Sequence, residues 1–164
     1  AEAWRVAREL ASSRTAVVLD PLDDLPFTYD AVASRRNNAA ILARNGVTIS
    51  FMVSGQTVYL SYNVATALRE GAGLAVANGL PRAEALRAIT TAPSLIWTGK
   101  VQSGLVPGTV ADLVIWDGDP LEPSSAPDLV FIAGKEISTV THRTRLRDRY
   151  HPSRMNDALP PAYR

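Results

Sequence analysis

Two short apolar runs, TAVVLDP at residues 15–21 and VTISFMVS at residues 47–54, constrain the fold of this chain more than any other feature. Each run is too short for an independent helix and is bounded by turn-forming residues, which is typical of a buried strand. Helical patterns precede, separate and follow the two runs. Because strands that alternate with helices form parallel sheets through right-handed crossovers, the sequence predicts an α/β fold with both strands in a parallel sheet.

The predicted helices are defined by apolar spacing and by stop signals. They cover residues 1–10, 29–45, 58–78 and a short segment that begins at Pro81 and must end before Pro93, after which SLIW adds a turn or two. Gly46 and Gly79 follow the second and third helices, as glycine commonly does at a helix C-terminus. The first helix would place its apolar residues, Val6 among them, on one face, and Trp97 is interpreted as a core anchor.

Short strands and turns replace the helices after residue 99. One strand is predicted at residues 111–116, and the turn Asp117–Pro120 follows it. Two more strands are predicted within residues 128–138, on either side of a turn at residues 133–135.

A basic segment comes next, in which arginine occupies every second position from Arg143 to Arg149. The period of two favours a strand with one charged, solvent-facing side that packs as a tail or forms a subunit contact. His142 and His151 flank this segment, but two histidines nine residues apart make a poor pair of metal ligands. The remaining residues are rich in Pro and Ala and predict an extended tail.

Length and composition exclude several classes of protein. The chain has 164 residues, a net charge of +1 and no cysteine, so it offers no disulfide, no thiolate metal site and no electrostatic basis for binding nucleic acid. No apolar run approaches the roughly 18 residues of a membrane span. The sequence begins inside a helical pattern without Met or a signal-peptide pattern, and two strands cannot complete a barrel. We therefore expect a fragment of a longer protein.

Four stretches, taken in their order and spacing, resemble the C-terminal part of the metal-dependent amidohydrolase superfamily, and most closely its imidazolonepropionase-like members. They are NNAAILARNGVTISF (37–51), GLPRAEALRAITTAPSLIWTG (79–99), SGLVPGTVADLVIWDGDPL (103–121) and VFIAGKEI (130–137). RTRLRDRY (143–150) is similar to the tail of exported bacterial members, which favours a periplasmic or exported location over a cytoplasmic one.

The resemblance implies a fold in two parts. Residues 1–98 would form the last βα units of a TIM-like (β/α) barrel, and residues 99–140 would form the C-terminal strands of a small β-sandwich that both chain termini build. Residues 141–164 would be a basic and then Pro/Ala-rich tail. The implied partner is the N-terminal remainder of the barrel and sandwich, and a homo-oligomer is left open.

The resemblance also implies an activity. Members hydrolyse C–N bonds of small amides or cyclic amides, using a divalent metal such as zinc that activates water. Their histidine ligands, including a His-x-His pair, would lie upstream of Ala1, so this chain would carry no metal ligand and would be inactive alone. The alternative is a non-catalytic binding or scaffold protein that kept the fold and lost the metal.

One family position expected within this chain is an aspartate at the end of the last strand, which takes a proton from the water. The family pattern places Ser54 there, and serine is a poor general base and a weak metal ligand. Three explanations stay open: a different base, a non-catalytic member, or a register that differs by a residue or two. In the last case the polar neighbours Ser50, Gln56 and Thr57 would face the pocket.

Acidic and amide side chains near the first strand complete the set of candidates. Asp20 ends that strand and could point into the barrel mouth as a pocket residue, although the proline that follows favours a turn-forming role. Asp23 and Asp24 are interpreted as part of a solvated loop. The pair Asn37 and Asn38 is expected at a helix surface, with a buried hydrogen bond to an adjacent loop as a possibility.

Overall fold

The structure is a computed structural model that describes residues 2–26, 28–54, 63–100 and 105–150. The chain divides into two compact units, Ala1–Thr109 with Gly118–Ser125, and Val110–Asp117 with Ala126–Arg164. The first unit is α/β, as the alternation of strands and helices predicts. The second contains a small antiparallel sheet and a helix. None of the described helices is long and apolar enough to cross a membrane.

Within the described residues, the first unit contains two strands and five α-helices. In chain order they are α1 (Ala7–Ser12), β1 (Val17–Leu19), α2 (Asn38–Arg44), β2 (Ile49–Phe51), α3 (Val64–Ala77), α4 (Arg82–Ile89) and α5 (Thr91–Thr98). The strands pair in parallel, with Val17 opposite Ile49 and Leu19 opposite Phe51. The predicted parallel pairing is therefore confirmed.

The core of the first unit forms around β2, whose three residues are all buried. The helices present mostly alanine to this core, and Leu19, Leu42 and Phe51 supply larger side chains. Because alanine is small, helices and strands can approach closely and still pack at the density of a protein interior.

The predicted helix at residues 29–45 is wrong in its first half. A short 3-10 segment, Tyr29–Ala31, occupies part of it, and α2 begins only at Asn38. At Ala33 the main-chain N–H donates to Glu2 Oε1 at 2.9 Å, and the carbonyl accepts the Trp4 indole N–H at 2.9 Å. These bonds to a distant segment replace the bonds between successive turns that a helix would need.

Two predicted core residues are exposed. Val6 is 47% exposed, because the first segment is a 3-10 helix up to that residue and becomes α-helical only afterwards. Trp97 in α5 is 73% exposed. The helix predicted from Pro81 ends at Ile89, before Pro93 as expected. Pro93 itself is the third residue of α5, where the main-chain N–H would have no helical partner. Gly46 and Gly79 have φ of +79° and +94°, which confirms both predicted helix ends.

The second unit contains three antiparallel strands in the order β3–β4–β5. They are β3 (Leu113–Trp116), β4 (Pro127–Ile132) and β5 (Lys135–Ile137). The two-residue turn between the last two, Ala133 and Gly134, has φ of 50° and 77°, as a tight hairpin requires. The predicted hairpin is therefore confirmed.

The basic segment is helical, so the predicted strand is wrong. Helix α6 (His142–Tyr150) begins with a reciprocal cap, in which Thr144 N–H donates to Thr141 Oγ1 at 3.2 Å and Thr141 N–H donates to Thr144 Oγ1 at 2.8 Å. Arginine and leucine are good helix formers, and arginines two apart fall on opposite sides of a helix. None of the residues of α6 is buried.

Candidate functional site

The carboxyl ends of β1 and β2 lie side by side, because the two strands are parallel. In parallel α/β proteins, both barrels and open sheets, this edge carries the active site. Asp20 directly follows β1, and Ser54 lies three residues after the end of β2. The structure brings these two predicted site residues together: the main-chain N–H of Ser54 donates to Asp20 Oδ2 at 2.7 Å.

Asp20 also forms the predicted turn. Its Oδ1 accepts the main-chain N–H of Leu22 at 2.9 Å, so one carboxylate oxygen holds its own loop and the other holds the segment after β2. The side chain is half-buried, and each of its oxygens can accept one further bond.

Ser50, the other described candidate near β2, does not join this contact. Ser50 is 2% exposed and its hydroxyl donates to the carbonyl of Ala88 in α4 at 3.1 Å. It therefore lies in the core, and the expectation that a shifted register would turn it towards the pocket is wrong. Gln56 and Thr57 lie outside the described residues, as does His151.

A buried polar network occupies the loop that was expected to be solvated. Asp24 is 2% exposed and Asn38 is fully buried. Asn38 Nδ2 donates to Asp24 Oδ1 at 3.3 Å, and Asn38 Oδ1 accepts the main-chain N–H of Trp4 at 3.0 Å. The predicted hydrogen bond from the asparagine pair to a loop is confirmed, but the surface position of Asn38 and the solvated position of Asp24 are wrong.

Burial changes the acidity of Asp24. Loss of hydration raises the pKa of its carboxyl from 3.8 to about 6, and the hydrogen bond from Asn38 opposes this rise only in part. Asp24 thus titrates closer to neutrality than an exposed aspartate. It is committed to the contact that joins the loop after β1 to α2 and to the segment around Trp4.

The loop Gly118–Ser125 belongs to the first unit and is held against its helices by residues that sequence reasoning missed. Arg69 Nη1 donates to the carbonyls of Pro120, Glu122 and Ser125 at 3.2, 2.8 and 3.0 Å. Arg82 forms a two-point ion pair with Asp119, with distances of 2.7 and 3.0 Å. Together these contacts hold the loop against α3 and α4.

A glycine in α3 allows the loop to come this close. A Cβ atom on Gly73 would lie 2.5 Å from the carbonyl oxygen of Leu121, whose side chain is buried in the core. Glycine inside a helical pattern is a signal of close main-chain approach, and it could have pointed to this contact from the sequence.

The described residues do not form a metal site by themselves. Among residues 2–26, 28–54, 63–100 and 105–150, no group of three or more His, Cys, Asp or Glu side chains could hold a metal ion. At the strand ends, both oxygens of Asp20 accept main-chain N–H groups, and Ser54 would be a weak ligand. His142 lies on α6, in the second unit.

Comparison with known proteins gives a consistent family. No curated protein matches the chain. Among solved structures, an amidohydrolase from Thermotoga maritima MSB8 is similar, with 27% sequence identity and a TM-score of 0.70 over 84% of this chain. The chain covers 35% of that structure, so it spans about a third of its length.

The sequence model of the amidohydrolase family matches residues 2–142 of the 164. This match extends through both units, from the segment before α1 to the first residue of α6. The chain therefore belongs to the amidohydrolase family, a family of hydrolases whose members are generally metal-dependent.

Proposed function

We propose that this chain is the C-terminal part of a metal-dependent amidohydrolase that hydrolyses C–N bonds in small amides or cyclic amides. The family match over residues 2–142 is the observation that carries the proposal. The first unit corresponds to the last βα units of a TIM-like barrel, and the second to part of a composite β-sandwich. The four stretches named above favour the imidazolonepropionase-like group.

The strand ends support the barrel assignment. β1 and β2 are parallel, each is followed by a helix, and Asp20 and Ser54 meet at their carboxyl ends, where barrels place their active sites. The candidate pocket of this proposal comprises these two residues together with Gln56 and Thr57.

The sheet of the second unit supports the sandwich assignment. Cross-strand pairing puts Val114 and Ile137 on the same face, beside Val130 of the strand between them. Val114 is 41% and Ile137 43% exposed, whereas a sandwich covers such a face with a second sheet. In the proposal, strands from the N-terminal remainder supply that cover.

In the proposal, the metal ligands and this chain belong to different parts of the protein. The metal, zinc or a similar divalent ion, is held by histidines of the N-terminal remainder, and that remainder is the essential partner. The described residues hold no metal-binding cluster of their own, so we expect the chain to be inactive by itself. A periplasmic or exported location is part of the proposal through the resemblance of the residues at 143–150, and a homo-oligomer is left open.

A non-catalytic binding or scaffold protein is the second candidate. Ser54 favours it, since the position where the family places its aspartate carries a hydroxyl that is a poor base. In that case the hydrogen bond between Asp20 and Ser54 would have only a structural role, joining the segments that follow β1 and β2.

Metal content and hydrolysis of the full-length protein that contains this chain separate the two. We expect near-stoichiometric divalent metal by inductively coupled plasma mass spectrometry and turnover of at least one member of a panel of amides and cyclic amides, abolished by a chelator. A folded, metal-free and inactive full-length protein would favour the scaffold. Hydrolysis by the 164-residue chain alone would contradict the proposal that the N-terminal remainder holds the metal.

A further inference from the structure

We propose that Asp20 supplies the carboxylate of the active site in place of the aspartate that Ser54 replaces. This inference rests on the proposed hydrolytic function. It assigns to the neighbouring strand a role that the family pattern gives to the last one.

The geometry puts the Asp20 carboxylate at the Ser54 position. Adjacent strands of a sheet lie about 4.8 Å apart, so a short side chain can reach from the end of one strand to the main chain of the next. Asp20 does so, since its Oδ2 lies 2.7 Å from the main-chain nitrogen of Ser54. A carboxylate thus stands beside Ser54 although the chain carries no acid at that residue.

Among the acids of the loop after β1, Asp20 is the one suited to this role. Asp24 is 2% exposed and is committed to Asn38, so substrate cannot reach it without opening the loop. Asp23 lies further from the strand end. Asp20 follows the last residue of β1 directly, and its half-buried side chain keeps acceptor capacity on both oxygens.

Two main-chain donors hold the group in one orientation. The N–H groups of Leu22 and Ser54 each donate to a different oxygen, at 2.9 and 2.7 Å, which fixes the plane of the carboxylate. A base that is already oriented loses little freedom in the transition state.

The chemical step balances without any further reactant. As the oxygen of the attacking water bonds to the amide carbonyl carbon, Asp20 accepts a proton from that water. It then delivers the proton to the leaving nitrogen as the C–N bond breaks. The carboxylate is regenerated, and the products are the acid and the amine.

The test uses the full-length, metal-loaded protein and an amide that the wild type hydrolyses. Asp20→Asn keeps an oxygen for the turn at Leu22, because asparagine also forms such turns, but it removes the base. We expect kcat to fall by about 100-fold or more, with KM changed by less than about threefold and the protein folded by circular dichroism. Asp23→Asn removes the same charge from the same loop and is the matched control.

A second variant separates catalysis from structure. In Asp20→Asn combined with Ser54→Asp, the carboxylate moves to the neighbouring strand end, and we expect at least about tenfold recovery of kcat over Asp20→Asn. A merely structural role predicts no such recovery. Two outcomes would contradict this inference and leave the proposed function intact. One is an Asp20→Asn variant that keeps more than a tenth of wild-type kcat, and the other is a double variant that recovers stability without recovering kcat. A metal-free and inactive wild type would overturn the proposed function, and this inference with it.

Discussion

Asp20 and Ser54 are separated by 34 residues in sequence, yet the main-chain N–H of Ser54 donates to the carboxylate of Asp20 at 2.7 Å. The contact closes the carboxyl ends of β1 and β2 with an acidic side chain. The resemblance draws attention to Ser54, where an aspartate is expected, and the structure shows the carboxylate of Asp20 within hydrogen-bonding distance of the Ser54 main-chain nitrogen.

Loss of this contact is expected to destabilise the protein. Asp20→Ala would leave the N–H groups of Ser54 and Leu22 without their acceptor in a half-buried setting, at a cost of about 1–3 kcal/mol in the free energy of unfolding. Urea unfolding of the full-length protein measures this cost, with Asp23→Ala as the control. Equal stability of the two variants would show that the contact contributes nothing.

Substitution by alanine is expected to affect the stability of the protein differently at two glycines of α3. A Cβ on Gly73 would meet the Leu121 carbonyl oxygen at 2.5 Å, so Gly73→Ala should cost about 1–3 kcal/mol through overpacking. A Cβ on Gly71 would meet Leu22 and Pro21 at 3.5 Å, which is an ordinary contact.

Gly71→Ala is therefore the matched control, and it should be neutral or stabilising by up to about 1 kcal/mol, because alanine favours a helix over glycine. Thermal unfolding of both variants of the full-length protein measures this difference in stability. A Gly73→Ala variant as stable as Gly71→Ala would mean that the loop does not lie against α3 as described.

Arg69 is expected to matter more for stability than Arg82. Arg69→Met removes three hydrogen bonds to main-chain carbonyls and should cost about 1–3 kcal/mol. The ion pair of Arg82 with Asp119 is exposed to solvent and screened, so Arg82→Met should cost less. Chemical unfolding of both variants tests the order, and the reverse order would contradict the anchoring role of Arg69.

Asp24 is expected to make the folded protein less stable as the pH rises. Its pKa is raised from 3.8 in the unfolded chain to about 6 in the folded one, so the folded state holds the proton more tightly. The stability that comes from this group is fully present below pH 3.8 and is lost as the pH rises through about 6.

Asp24→Asn keeps an oxygen for the hydrogen bond from Asn38 and removes the charge. We expect this variant to gain stability over the wild type at about pH 7.5 and to gain little or nothing at about pH 4. Urea unfolding at both pH values measures the difference, with Asp23→Asn as the control for charge loss in the same loop. A gain that is equal at both pH values would rule out titration of Asp24 as its cause.

The isolated chain is expected to lack a cooperative thermal transition. The parallel sheet of the first unit has only β1 and β2 in its described part, and both strands offer unpaired edges. Differential scanning calorimetry of the 164-residue chain tests this expectation. A sharp transition from monomeric chain would show that the first unit is stable without further strands.

Much of the local structure could be predicted from the sequence, because it depends on neighbouring residues. The apolar runs of β1 and β2, the helix ends at Gly46 and Gly79, and the hairpin at Ala133 follow from side-chain pattern and allowed φ values. Asp20 was also found from the sequence as a candidate, since it follows a strand, and Ser54 was found because the family pattern places an aspartate there. The family resemblance likewise depends on residue order alone.

The failures at Ala33 and Asp24 originate in contacts between distant segments, whereas the failure at the arginine segment involves a local helix cap. Ala33 was expected in a helix, but Glu2 and Trp4 take up its main-chain groups. The alternating arginines suggested a strand, since a period of two is ambiguous when no partner strand is specified, and the cap at Thr141 favours the helix. Asp24 looked solvated because acidic loop residues usually are.

By itself, the sequence determined the alternation of strands and helices up to α5, the hairpin of the second unit and the family to which the chain belongs. Only the tertiary structure decided that Asp24 is buried, that Arg69 anchors the loop at Gly118–Ser125, and that the Asp20 carboxylate reaches Ser54. The physical reason is that hydrogen bonds act over about 3 Å. Which distant residues come that close depends on how the helices between them pack.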